Sequence, residues 1–154
     1  ILSLETGIVS SIQGKSYQIV SVHSPDKSLC EGAVFSLCDT YCADVVATDA
    51  VVAYHNIEAS PGASHPCFEQ YSLRSYLASP INVNGEFFGT VNFSSLSTRE
   101  KPFSDIELDY LLLLASWIGN ELEKQQVINK LKVQKVVLEE RNSLLQQITN
   151  LAGV

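Results

Sequence analysis

The sequence predicts an α+β fold: a central antiparallel sheet with helices on one face, a loop-covered pocket on the other, and a long C-terminal helix. Three observations predict it. β-branched and aromatic runs occur in hairpin pairs, one pair near the start and one in the middle of the chain. Helical stretches do not alternate one for one with strands, so the order is not that of a doubly wound parallel sheet. The last third carries a helix with a defined start and no proline.

Ile8 to Ile12 and Tyr17 to Val22 are the first strands, joined through Gln13-Gly14-Lys15. Pro25-Asp26-Lys27-Ser28 ends the second. Val34 to Leu37 is a short apolar run, after which Asp39 or Thr40 can cap a short helix. Val51 to Tyr54 reads as another strand, and Ile57 to Ser64 as a loop of small and turn-forming residues. His65 to Tyr71 opens a helical turn or two, with Pro66 at the first position, where a missing N–H costs nothing. Two long strands follow, flanking Asn84-Gly85, whose tolerance of positive φ suits a type I′ turn. In the last strand Phe87, Gly89, Val91 and Phe93 share one face, predicted as core, and Phe88, Thr90 and Asn92 share a mixed face.

Ser104-Asp105-Ile106-Glu107 fits a capping box, with Phe103 and Leu108 placed for a hydrophobic staple. No strong breaker follows until Gly153, so the helix runs about 45 residues, roughly 70 Å at its rise per residue. That exceeds the width of a small domain, and its far half is expected to need a partner. The predicted organisation is one globular domain, residues 1–123, and a signalling helix or coiled-coil linker, residues 124–154.

The 154 residues are 45% hydrophobic, enough for a real core, and carry a formal net charge of −7. Nucleic acid and anionic membrane, which demand concentrated Lys and Arg, are excluded as main partners. No apolar run reaches the roughly 20 residues a membrane span needs. Ile1-Leu2-Ser3-Leu4 lacks the regions of a signal peptide, and the chain reads as a fragment of a longer protein. Cys30, Cys38, Cys42 and Cys67 could form two disulfides by count, but a chain this apolar does not need staples. A cytoplasmic domain with reduced thiols is expected.

The run Ser75 to Phe93, with Ala78-Ser79-Pro80-Ile81-Asn82-Val83-Asn84-Gly85-Glu86-Phe87-Phe88-Gly89 at its centre, followed by Pro102-Phe103-Ser104-Asp105 and an apolar helix, resembles the GAF domain of bacterial sensor proteins. The likeness covers most of residues 4–124. It implies a sensory module with a small-molecule pocket, housed with an effector such as a histidine kinase in one polypeptide. It also implies a helix before the first strand, which this fragment begins too late to contain in full. Asp39-Thr40-Tyr41-Cys42 and His65-Pro66-Cys67 look like elements of GAF domains in multi-domain bacterial sensors, including cyanobacterial ones.

Subfamily marks are mostly missing. Bilin-binding members carry a chromophore cysteine followed by histidine, whereas Cys67 is followed by Phe68. The Asn-Lys-Phe-Asp-Glu signature of cyclic-nucleotide binders has no counterpart here. Free methionine-R-sulfoxide reductases resemble the chain in the placing of Cys30, Cys42 and Cys67, but the positions matching their substrate-binding carboxylates hold Asn92 and Ser94. The expectation is no catalytic residue and no enzyme; the alternatives are a cysteine-dependent reductase with Cys67 as nucleophile, or an inert dimerisation module.

Candidate ligand-binding residues are Tyr41, Cys42, His65, Cys67, Tyr71, Tyr76 and Asn92. Tyr41, Tyr71, Tyr76 and Phe88 can form a flat apolar slot with polar tips, or plain core. Asn92 needs a hydrogen-bond partner if buried, and ligand recognition would be one reason to keep it there. Cys42, His65 and Cys67 are groups that suit zinc, copper or an iron–sulfur centre, but their spacing is not that of a finger or ribbon. The plainer reading makes Cys42 a small buried hydrophobe and His65 a cap on the backbone, and no metal or cofactor is assigned. A redox role would require a thiolate, which a helix N-terminus at Cys42 or Cys67 could favour. His23 and His55 read as ordinary histidines.

Along the terminal helix Leu131, Leu138 and Leu145 recur every seven residues, with Val127, Gln134, Arg141 and Ile148 at the alternate seam position. A parallel homodimer through Val127, Leu131, Leu138, Leu145 and Ile148 is expected. Gln134 and Arg141 weaken that seam and fix its register, a trade that suits a helix transmitting small rotations.

Overall fold

The computed structural model describes residues 2–153. They fall into two units, Ile1–Gly119 and Asn120–Val154.

In the first unit the strands are β1 (Thr6–Gln13), β2 (Ser16–His23), β3 (Val34–Ser36), β4 (Val52–Tyr54), β5 (Ser75–Val83) and β6 (Glu86–Ser95), with short helices α1 (Cys42–Thr48) and α2 (Pro66–Tyr71). They form one antiparallel sheet of order β3-β2-β1-β6-β5-β4. Both edge strands are only three residues long, which limits the unpaired backbone that each edge presents. Both hairpin turns are as the sequence predicts: Asn84 and Gly85 adopt φ of 54° and 77°, and Gly14 adopts 58°.

Alternation sorts the sheet into two faces. Ile12, Tyr17, Ile19, Tyr76 and Ala78 point to one side and join Tyr41, Cys42, Val45, Ile57 and Cys67 in a buried cluster. Leu77, Ile81 and Val91 point to the other and are fully or nearly fully buried. The α+β class holds, with one refinement: α1 and α2 cover the face expected to carry only loops, because Cys42 and Cys67 on their inner sides belong to that cluster. The cap expected of Asp39 or Thr40 is not made. Tyr41 occupies the N-cap position without a side-chain capping hydrogen bond, and the Thr40 hydroxyl instead donates to the Leu37 carbonyl of the preceding 3-10 turn at 2.9 Å.

Phe87 and Phe88 depart from simple alternation. Ile81 pairs with Gly89 but Asn82 pairs with Phe87, so Phe88 is the extra residue of a β-bulge. The bulge breaks the two-residue period at the hairpin end. Phe87 is therefore more than a third exposed rather than core, and Phe88 lies outside the cavity described below.

Helix α3 (Asp105–Leu151) starts at the predicted capping box: the Ser104 N–H donates to Glu107 Oε2 at 2.8 Å, and Ser104 Oγ accepts the Glu107 N–H at 3.4 Å. Arg99 reinforces that start. Its guanidinium donates to the Leu2 carbonyl at 2.6 Å and to Glu107 Oε1 at 2.7 Å, lies 4.3 Å over the Phe103 ring, and its backbone N–H donates to the His55 carbonyl. One residue thus ties the N-terminal segment and the beginning of α3 through its side chain and the end of β4 through its backbone. The Ser104 N–H and Arg99 hold the Glu107 carboxyl below its ordinary range.

Leu111, Ala115 and Gly119 are the buried residues of α3, spaced four apart on one helical stripe. A Cβ at Gly119 would collide with the carbonyl oxygen of Asn82, so the helix approaches the β5–β6 hairpin at backbone contact distance. In the second unit the helix surface is exposed: Val127, Leu131, Leu138, Leu145 and Ile148 each show more than half of their area.

Gly119→Ala is expected to destabilise the domain by about 1–3 kcal/mol in urea unfolding. Helix propensity alone predicts the opposite sign, about 1 kcal/mol of stabilisation. An unchanged or raised midpoint would mean that the close helix–hairpin approach is absent.

Candidate functional site

The buried cluster does not fill its face of the sheet. A cavity of about 420 Å³ opens between β1, β2, β6 and the α1 and α2 segments, a size typical of small-molecule sites. Its lining includes Tyr17 and Ile19 from β2, Tyr41 and Cys42 at the start of α1, Cys67 from α2, and Asn92 and Ser94 from β6. The exposed Glu5 and Asp26 lie on its open rim.

The floor is a continuous hydrogen-bond network. Thr90 Oγ1 lies 2.8 Å from Ser10 Oγ and 3.2 Å from Cys42 Sγ, and the same sulfur lies 3.1 Å from the Tyr76 hydroxyl. Asn92 Nδ2 donates to the Tyr17 hydroxyl at 3.2 Å and to Cys42 Sγ and Thr90 Oγ1 at 3.5 Å. Ser10 and Thr90 are wholly buried and Asn92 is 4% exposed, yet every sealed side-chain polar atom among the described residues has a partner. The wall is fixed as firmly. The Tyr41 hydroxyl donates to the Gly62 carbonyl at 3.0 Å, and its ring packs 5.2 Å from Tyr76 and 4.9 Å from His65.

Six of the seven predicted ligand-binding residues line this cavity: Tyr41, Cys42, Cys67, Tyr71, Tyr76 and Asn92. His65 is not among the lining residues. It is the N-cap of α2, and its Nδ1 accepts the Cys67 N–H at 3.1 Å, so the backbone-capping role foreseen for it is the one it fills. No group of three or more His, Cys, Asp and Glu side chains among the described residues could hold a metal ion. Tyr17, Ser10 and Thr90 were not singled out as site residues from the sequence, and Ser94 entered only as a position matching the reductases' carboxylates. The place of Ser10 and Thr90 follows from the β1–β6 pairing, a register between strands 80 positions apart that local pattern does not encode.

All four cysteines are free, with Cys30 and Cys38 exposed and Cys42 and Cys67 buried. The thiolate that a helix N-terminus could favour is not realised. Burial pushes the Cys67 thiol up to about 12, and burial raises Cys42 as well, outweighing the hydrogen bonds from Thr90 and Tyr76. Burial likewise raises the phenols of Tyr17, Tyr41 and Tyr76. The cavity floor is therefore uncharged at neutral pH.

Two consequences are measurable. Alkylation of the folded domain at mildly alkaline pH is expected to modify Cys30 and Cys38 and spare Cys42 and Cys67 until denaturant is added; four equally fast thiols would contradict the burial. Because the folded Cys67 value lies above its ordinary 9.0, the associated stability is full below about pH 9 and is lost as pH rises towards 12. Cys67→Ser should flatten the stability profile in that window.

The family model for the GAF domain matches residues 3–122. Comparison with curated protein sequences finds no match. Among solved structures, the chain is similar to the blue-light-absorbing form of the PixJ GAF domain of Thermosynechococcus elongatus: TM-score 0.66, 16% identity, 86% of this chain and 82% of that one. The GAF domain of a phosphoenolpyruvate-protein phosphotransferase from Coxiella burnetii gives a TM-score of 0.66 at 14% identity, covering 84% of this chain and 77% of that one. A type II free methionine-R-sulfoxide reductase from Thermoplasma acidophilum gives 0.60 at 16% identity over 76% and 77%. These identities show a shared fold and no more. With the six-stranded sheet, the covered cavity and a family match over more than three quarters of its length, the chain belongs to the GAF domain family.

Proposed function

We propose that this GAF domain is a small-molecule sensor that signals through a parallel dimer of its terminal helix to an effector domain in the same polypeptide, in the cytoplasm of a bacterium. The observation that carries the reading is the cavity: about 420 Å³, lined by aromatic and aliphatic side chains, with a few convergent polar groups on its floor. GAF domains are mostly sensory rather than enzymatic, and no helix of the described chain is long and apolar enough to cross a membrane.

A route from the cavity to the output helix supports the reading. Ser95 and Leu96 line the cavity at the end of β6, and Arg99 follows three residues later with its grip on Glu107 in the first turn of α3. A ligand that packs against Leu96 shifts the segment that sets the start of α3. Such a shift signals only if the ligand binds one arrangement of the helix more tightly than another.

The output end is argued from the exposed seam. Val127, Leu131, Leu138, Leu145 and Ile148 would leave a solvated apolar stripe on a lone helix, and a second copy covers it at coiled-coil spacing. The first unit shows apolar exposure at the same spacing, at Ile106 and Leu113 and at Tyr110 and Trp117, each pair seven residues apart.

The reductase reading is favoured by one observation, that Cys42 and Cys67 both line the cavity. Against it stand the raised thiols and the absence of a carboxylate at Asn92 and Ser94. Thiol-dependent consumption of methionine-R-sulfoxide, lost in Cys67→Ser, would establish it.

Two experiments test the sensor reading. In a thermal-shift screen of drug-like fragments, at least one compound is expected to raise Tm, and Leu73→Trp, which fills the cavity from its wall, is expected to abolish that shift; no compound acting, or undiminished action on the variant, would refute the receptor role. For the output, Leu145→Cys in a Cys30→Ser, Cys38→Ser background is expected to form an oxidised covalent dimer, because parallel in-register helices place identical seam residues side by side. Absence of the cross-linked species would contradict parallel pairing.

A further inference from the structure

We propose that the cavity takes a flat aromatic molecule that carries no anionic group, donates a hydrogen bond to Asn92 Oδ1, and places its positive charge at the acidic rim. The proposal rests on the small-molecule reading above and narrows it to a ligand class.

The side-chain inventory of the cavity decides the sign. Lining residues come from five strands, two helices and the intervening loops, and none is Lys, Arg or His. A carboxylate or phosphate seated there would lose its hydration and gain no cation, an uncompensated burial of charge. The four acidic phenol and thiol groups of the floor, on Tyr17, Cys42, Cys67 and Tyr76, are held neutral by burial. An incoming anion would make those groups still harder to ionise and would find neutral hydroxyls and thiols but no cation to pair with.

The floor offers an acceptor instead. Asn92 is more than nine-tenths buried and lines the cavity, and its Nδ2 is committed to Tyr17, Cys42 and Thr90. Among the described residues no donor reaches its Oδ1, and that atom is not sealed off from the cavity. A buried amide with one end satisfied and the other open to a cavity fits a ligand N–H.

The rim sets the charge. Glu5 and Asp26 are exposed carboxylates that form no ion pair among the described residues. The Ser28 N–H and hydroxyl bond to Asp26 at 2.9 and 2.7 Å and keep it ionised. A cation at the mouth keeps part of its hydration while meeting both carboxylates. The aromatic walls, Tyr41 and Tyr76 among them, suit a flat apolar body between floor and rim.

The test uses two size-matched fluorescent tricycles, proflavine, a flat cation with amine donors, and acridine-9-carboxylate, a flat anion. Titration of the whole chain is expected to show proflavine binding at least about tenfold more tightly, weakened about two- to fivefold by Glu5→Gln and about three- to tenfold by Asn92→Leu. Asn92→Asp, which keeps an acceptor oxygen in place, should retain or tighten proflavine binding, so a folding defect in the leucine variant does not shield the proposal. Equal or tighter binding of the carboxylate would overturn the ligand class while leaving the sensor reading intact. Failure of both dyes would also overturn the class; only the added failure of the neutral fragment screen would remove the receptor itself.

Discussion

Thr90 Oγ1 sits between the Ser10 hydroxyl on the neighbouring strand and the Cys42 thiol at the start of α1, and the remaining architecture of the cavity hangs on that three-way contact. It joins β1 to β6 at the sheet centre, where a Cβ at Gly89 would strike the Ser10 carbonyl, so the two strands approach as closely as backbones allow. It also anchors α1 over the sheet. With the helix held at Cys42, Tyr41 is carried into contact with Tyr76 and Gly62, which fixes the wall, and Asn92 is drawn towards Tyr17, which fixes the floor. A buried polar network is costly when partly satisfied and specifying when complete. Here its members are complete except for one amide oxygen that opens to the cavity.

Much of the fold was legible in the sequence because its signals are local. Asn84-Gly85 and Gly14 announce turns through the φ they permit, and Ser104 to Glu107 announces a helix start through a reciprocal hydrogen bond within four residues. The places where reading failed depend on tertiary context. The bulge at Phe88 shifts which aromatic residues face the core, and it arises from pairing with β5 rather than from the residue itself. Thr40 looks like a helix cap, but the Leu37 carbonyl competes for its hydroxyl.

The candidate site was partly legible for a different reason. Tyr41, Cys42, Cys67, Tyr71, Tyr76 and Asn92 stand out as polar or polarisable groups among apolar neighbours, and all six line the cavity. His65 stands out by the same rule yet serves the backbone. What sequence alone could not supply was the protonation environment. A helix N-terminus lowers a thiol pKa and burial raises it; only the three-dimensional structure shows that burial wins at Cys67.

On the proposed sensor reading, the uncharged floor and acidic rim serve a bound molecule; an inert dimerisation module is expected to leave the same space without a ligand. The proposed sensor function requires that this space be occupied and that the chain be dimeric. A native mass spectrum of the freshly purified chain, set beside its denatured mass, tests both halves at once. A dimer carrying extra non-covalent mass that disappears on denaturation is expected; a bare monomer would contradict the sensor function.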